Sequence, residues 1–137
     1  MNKEIIKIIE DSTIKNFTKE DSFPERVKTL IDAGIERYYT DLSGIQTIYY
    51  GTDGATYTEK MPYPNPPKRG DTFSEKDIIE ALRTIQRGEI RYPDFLNRII
   101  KAGVVNYTVF LLGGQAHYVG NKGEIYIEHF PVNKENV

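Results

Sequence analysis

Ala33-Gly34-Ile35-Glu36-Arg37-Tyr38-Tyr39-Thr40-Asp41-Leu42-Ser43-Gly44-Ile45-Gln46-Thr47-Ile48-Tyr49-Tyr50-Gly51-Thr52-Asp53-Gly54 reads as a helix stop, two strands and two turns. Residues 102–123, Ala-Gly-Val-Val-Asn-Tyr-Thr-Val-Phe-Leu-Leu-Gly-Gly-Gln-Ala-His-Tyr-Val-Gly-Asn-Lys-Gly, say the same thing 69 positions later. The match widens without a gap to residues 22–62 against 91–131, with 14 identities in 41 pairs, from Pro24/Pro93 to Pro62/Pro131. Typical residue frequencies would give roughly two or three. The pattern therefore predicts an internal duplication, which is the first thing to settle before any fold is assigned.

Within each copy, strands rich in Tyr, Ile and Thr alternate with turn signals. The first copy reads 35–42, Ser43-Gly44, 45–50, Gly51-Thr52-Asp53-Gly54 and 55–61; the second reads 104–112, Gly113-Gly114, 115–119, Gly120-Asn121-Lys122-Gly123 and 124–130. A helix precedes each meander. Ser22-Phe23-Pro24-Glu25 and Tyr92-Pro93-Asp94 are helix starts, and Gly34 and Gly103 are helix stops. The expected apolar stripes are Phe23, Val27, Leu30 and Ile31 in the first copy and Phe95, Leu96, Ile99 and Ile100 in the second. A further helix stands ahead of each. One carries Ile5, Ile6, Ile8, Ile9, Ile14 and Phe17 on a wide face; the other is capped by Ser74, striped by Ile78, Ile79, Leu82 and Ile85, and stopped by Gly88.

The expected fold is α+β: one domain over 1–137 built from two α-α-β-β-β units. Each unit is a three-stranded antiparallel meander packed with helices, the two related by a pseudo-twofold axis. The first unit spans roughly 1–62, a stiff proline-rich connector 61–72, and the second unit roughly 73–131. Neither half is large enough for a secure core by itself.

Composition narrows the function classes. The chain has 137 residues, 39% apolar and 28% charged, as expected of a globular protein. A net charge of −2 argues against nucleic-acid binding by bulk charge. There is no cysteine, which removes disulfides, thiol catalysis and iron–sulfur clusters. No apolar run reaches the roughly 20 residues of a membrane span, and the charge-broken Ile5–Ile9 stretch is not a secretory signal, so the expected compartment is the cytoplasm, with no membrane partner. No cofactor fingerprint is present, and two histidines without ligand spacing predict no metal site.

Two-residue loops at 43–44 and 113–114 and four-residue loops at 51–54 and 120–123 fix an expected register. It sets Tyr38 against Tyr49 and Tyr107 against Tyr118 on an apolar face with Leu111, Val109, Ala116, Ile125 and Ile127, and places His129 on that side as a structural residue. On the opposite face Gln46 meets Glu59 beside Tyr57, Gln115 meets Glu128, and His117 meets Tyr126. Gln115, His117, Tyr126 and Glu128 are then the candidate site. His117 and Glu128 would exchange protons near neutral pH while Gln115 and Tyr126 position a substrate. The same residues would equally serve as cross-strand pairs on a solvated face, and the first copy has Ile48 in place of His117. Gly51-x-x-Gly54 and Gly120-x-x-Gly123 read as turns, and Pro64-x-x-Pro67 reads as linker.

Ser22-Phe23-Pro24-Glu25, Ala33-Gly34-Ile35-Glu36-Arg37-Tyr38, Tyr49-Tyr50-Gly51-Thr52-Asp53-Gly54, Tyr92-Pro93-Asp94-Phe95 and Glu128-His129-Phe130-Pro131 carry a likeness. In order and over nearly the whole chain, the sequence resembles the YdfO-like family of small bacterial and prophage proteins. Members of that family often bear the label "phage envelope protein". The resembling motifs are helix starts, helix stops and turns, so they imply a shared fold and no catalytic residues.

The resulting expectation is a binding or regulatory module. It would recognise an unidentified protein, a small molecule or a second copy of itself (a homodimer) through a face bearing Tyr39, Tyr50, Tyr57 and Tyr126, or through the cleft between repeats. The alternatives are a small acid–base enzyme using His117 and Glu128, and a phage structural component.

Overall fold

Helix boundaries fall where local chemistry puts them. In the computed structural model, which describes residues 1–18 and 22–130, Ser22 Oγ accepts a hydrogen bond from the Glu25 amide (3.3 Å) and opens a helix that carries Pro24 in its first turn. Ser74 does the same for Asp77 (3.2 Å). At Arg91 the roles reverse: the Asp94 carboxylate accepts from the Arg91 amide at 3.1 Å.

The elements are α1 (Lys3–Thr18), α2 (Phe23–Asp32), β1 (Ile35–Asp41), β2 (Gln46–Gly51), β3 (Thr56–Lys60), α3 (Glu75–Gln86), α4 (Tyr92–Lys101), β4 (Val104–Phe110), β5 (Gln115–Gly120) and β6 (Ile125–His129). The architecture is α+β, with four helices and one six-stranded antiparallel sheet ordered β3-β2-β1-β4-β5-β6. The two meanders join edge to edge, β1 against β4. Their ladder runs from Arg37↔Phe110 through Tyr39↔Thr108 to Asp41↔Asn106. Shifting residue numbers by 69 turns Arg37↔Phe110 into Asn106↔Asp41 and returns Tyr39↔Thr108 to itself. The outer strands β3 and β6 are five residues each, short enough to limit edge pairing with other chains.

The helices cover one face of the sheet. That face buries Tyr38, Thr40, Thr47 and Tyr49 from the first half and Tyr107, Val109, Ala116 and Tyr118 from the second. Ile9, Leu30, Ile78, Leu96 and Ile99 close over it from the helices. The connector runs along α4: the Tyr63 hydroxyl donates to Asn97, and the Gly70 amide donates to the Ile100 carbonyl at 3.1 Å.

The β1–β2 and β4–β5 hairpins have the expected register, with Tyr38↔Tyr49 and Tyr107↔Tyr118. The next hairpin in each half does not. Gly51 closes on Ala55 through its amide (2.8 Å), and Gly54 takes φ +88°, so the loop holds three residues rather than four. A type I turn followed by a left-handed glycine is the usual build of such a loop. Gly120, Glu124 and Gly123 (φ +85°) repeat it. The one-residue slip sends every side chain of β3 and β6 to the other face. Glu59 lies opposite Thr47, Tyr57 opposite Tyr49, Glu128 opposite Ala116 and Tyr126 opposite Tyr118, all on the helix side. Ile125 and Ile127, expected inside, are exposed, and His129, expected on the apolar side, pairs with Gln115 and is exposed.

The first-half helix stripes also differ from expectation. Phe23, Ile31, Ile8 and Ile14 are exposed, while Arg26, Ser12 and Thr13 are buried. The reason is Glu59. Once that carboxylate points inward, the helices above it must supply hydrogen-bonding groups. Pro131, the last residue of the sequence match, lies outside the described residues.

Candidate functional site

Between the helices of the two halves, on the covered face of the sheet, lies a cavity of about 550 Å³. Tyr38, Tyr107, Val109, Ala116 and Tyr118 of the sheet line its floor. Phe23, Pro24 and Arg26 of α2 form one wall, and Leu82, Ile85, Tyr92 and Phe95 of α3 and α4 form the other. Phe23 and Phe130 meet edge to face at 5.0 Å beside it. A concave, mostly apolar space with a few fixed polar groups is the usual form of a small-molecule site, and this volume lies within the usual range.

Its polar groups are held tightly. The Tyr92 and Tyr107 hydroxyls hydrogen-bond one another. Tyr107 and Tyr118 pack with ring centres 5.2 Å apart, and Phe95 meets Tyr118 at 6.3 Å. Burial raises the pKa of Tyr38, Tyr92, Tyr107 and Tyr118 above the ordinary phenol value, so all four are neutral near pH 7.

Arg26 is the buried charge, with 5% of its surface exposed. Its Nη1 donates to Ser12 Oγ (2.8 Å) and its Nη2 to the Tyr49 hydroxyl (2.8 Å), while its guanidinium sits 5.3 Å from the centre of the Tyr38 ring. Tyr49 in turn donates to Glu59 Oε1 (3.3 Å), which also accepts from Thr13 Oγ1 (2.6 Å). Among the described residues no carboxylate comes within 4.0 Å of the guanidinium. The nearest link to a carboxylate passes through a phenol. Burial opposes the charge on Arg26, but the phenols of Tyr49, Tyr38 and Tyr92 outweigh it and leave its pKa above the ordinary guanidinium value. Glu59 is shifted up, chiefly by burial, against the pull of Thr13, Tyr49 and Arg26.

On the other side of the cavity, Glu128 accepts from Arg83 Nη1 with both oxygens (3.0 and 3.2 Å) and from the Tyr126 hydroxyl (3.3 Å). Its charge is therefore already matched by a single guanidinium nitrogen.

The expected cluster is split by the sheet. Gln115 and His117 lie on the uncovered face, where His117 Nε2 contacts Gln115 Oε1 at 2.8 Å and its ring packs 4.8 Å from Phe110. A shallow hollow of about 370 Å³ there is bounded by Arg37, Phe110, Leu112 and His117. Glu128 and Tyr126 lie on the covered face, and His117 faces Ile127 rather than Tyr126. Gln46 pairs with Lys60 instead of Glu59, and the Tyr57 hydroxyl donates to Glu10 at 3.1 Å. Tyr39 and Tyr50 stay on the uncovered face, whereas Tyr57 and Tyr126 leave it. The His117/Glu128 pair thus cannot share a proton directly.

Arg26 escaped the sequence reading because a charged residue on an amphipathic helix is expected outside. The signal was nevertheless present. At the 69-residue offset Arg26 stands against Phe95, and Ser12 and Thr13 stand against Ala81 and Leu82. Three polar residues set against apolar ones on the inward face of the first half mark a polar interior.

Among the described residues, no group of three or more His, Asp or Glu side chains is arranged to hold a metal, and no helix is long and apolar enough to cross a membrane. No family model matches the chain. It is similar to the uncharacterised protein Rv2012 of Mycobacterium tuberculosis, 26% identical over 117 residues, covering 85% of this chain and 71% of that protein. The uncharacterised protein Mb2035 of Mycobacterium bovis matches to the same extent. These relatives bring no function with them, and the cavity geometry is the guide to what the chain does.

Proposed function

We propose that the protein is a small-molecule-binding module, without catalysis of its own, whose ligand occupies the cavity between its two halves. The observation that carries the proposal is the cavity itself, about 550 Å³ lined by fixed phenols and a buried guanidinium. The separation of His117 from Glu128 weighs against the acid–base alternative. We also infer that the chain arose by duplication of an α-α-β-β-β unit, supported by the 69-residue offset of its strand pairing, and that it is a cytoplasmic YdfO-like protein. In this reading the duplication creates the site, because the cavity draws its walls from both copies.

A thermal-shift screen of metabolites tests the proposal. A ligand at 100 times its dissociation constant adds about 2.7 kcal/mol, which in a domain of this size raises the midpoint by roughly 5–10 °C. Ala116 lies on the cavity floor, so Ala116→Phe should intrude on the space and weaken any true hit. A hit that this substitution leaves unchanged would place the ligand elsewhere and refute the proposal.

A further inference from the structure

Resting on that binding role, we infer that the ligand is an aromatic monocarboxylate, its carboxylate on Arg26 and its ring among Tyr38, Tyr107 and Tyr118. A guanidinium is a costly group to bury, and it is kept where its fork meets a planar anion. Arg26 is 95% withdrawn from solvent, yet among the described residues its partners are the neutral oxygens of Ser12 and Tyr49, with the Tyr38 phenol beside it. Two of its five N–H groups serve those bonds, which leaves donors for a ligand. Its counter-charge, Glu59, sits behind Tyr49, and neither Glu59 nor Tyr49 lines the cavity. Of the two carboxylates that line the cavity, Glu128 is held by Arg83, and Glu25 is exposed at the rim and accepts from Ser22 Oγ, so among the described residues the buried charge without an ion-pair partner is Arg26. The neutral phenol of Tyr38, beside the guanidinium, adds a donor that favours an anion further.

The chemistry also says what the anion is not. Phosphate groups favour the free amides of a helix N-terminus. Here α2 presents Pro24, which has no N–H, and Glu25, whose N–H is taken by Ser22. At the rim, Arg91 Nη2 is engaged by the Phe17 carbonyl at 2.9 Å. A single buried guanidinium suits one negative charge. A second would stay uncompensated in an apolar space. The remaining walls are mainly apolar, with the rings of Phe23, Tyr92 and Phe95 beside Leu82, Ile85 and Val109, so the body of the ligand is apolar and a flat ring suits it.

The test uses 1-naphthoate and its neutral isostere 1-naphthamide. The chain has no tryptophan, so naphthalene fluorescence reports binding without indole background. At pH 7 the acid should bind at least about tenfold tighter than the amide, as a charge-assisted bidentate contact requires. Arg26→Met should bring the acid to the level of the amide, and Ala116→Phe should weaken both. Equal binding of acid and amide to the unaltered protein, weakened by Ala116→Phe, would overturn the carboxylate inference while leaving the cavity as the binding site. Binding of neither probe would overturn the inference, and the cavity reading would then fall or stand by the broader screen. If Arg26→Met does not fold, the acid–amide ratio in the unaltered protein decides alone.

Discussion

The two halves solve one problem in two ways. Each turns a glutamate inward at the same place in its meander, Glu59 and Glu128. In the first half the carboxylate is met from within, by Thr13 and by Tyr49 backed by Arg26 and Ser12. In the second it is met from the solvent side by Arg83, on a helix whose inward positions are Ala81 and Leu82 and whose neighbour supplies Phe95. At the same offset, Arg83 corresponds to exposed Ile14. The second half uses its interior for packing, and the first gives up packing to hold a charge beside the cavity. Such departures from the simplest core are expected where function resides.

Exchanging the two solutions breaks the comparison most severely in one direction. Phe95→Arg would bury a guanidinium where Ala81 replaces the receiving hydroxyl of Ser12, leaving only the Tyr118 phenol in the place of Tyr49. The loss should be more than about 4 kcal/mol, a large part of the usual stability of a domain. Circular dichroism under urea would show it, and a cooperative transition near the unaltered midpoint would mean the halves are not distinct in the way described. Phe95→Ala, which leaves a hole rather than a charge, should cost about 3–5 kcal/mol by the same measurement.

In the other direction, the four changes Ser12→Ala, Thr13→Leu, Ile14→Arg and Arg26→Phe import the second solution into the first half. Apolar replacement of a buried polar network often gains about 1–4 kcal/mol. Stability should rise by an amount in that range while the preference for naphthoate over naphthamide disappears. A stable variant that still prefers acid over amide would separate Arg26 from the site.

A smaller effect concerns pH. Glu59 has its pKa raised in the folded chain, so between its unfolded and folded values the folded state holds the extra proton. The sign follows from linkage: this contribution is full below the unfolded carboxyl pKa and is lost as pH rises through the folded value. Unfolding free energy measured from pH 4 to 7 should therefore carry a falling component that Glu59→Gln removes. An identical profile in that variant would show that Glu59 is not desolvated as described. Smallest of all is Arg83→Met. Arg83 is about half exposed, and the pair it forms with Glu128 should be worth no more than about 1 kcal/mol.

Much of this was legible in the sequence, and the limit is specific. Ser22, Ser74, Asp94, Gly34 and Gly103 mark the helix ends by local chemistry that needs no tertiary context. The first hairpins are readable because Ser43-Gly44 and Gly113-Gly114 leave one pairing that keeps tyrosines together. The second hairpins are not. Two glycines three apart fit a three-residue or a four-residue loop equally, and only the left-handed turn at Gly54 and Gly123 chooses. That single residue moved Glu59, Tyr57, Glu128 and Tyr126 through the sheet and dissolved the expected His117 cluster. The site itself was hidden for another reason. It is shared between elements far apart in the chain, and no local pattern announces that an arginine will be buried against Tyr38 and Tyr49.

The junction of β1 and β4 has a further consequence, in the order of events as the chain folds. Every other strand pair closes through a short turn, which forms in about 1–10 μs. Tyr39 and Thr108 meet across 69 residues of chain, so this pairing must wait for both meanders and carries the entropy of closing the long loop. The cavity exists only after that closure. A ligand able to fill it would therefore act as a late latch, slowing the parting of the two meanders far more than it speeds their making.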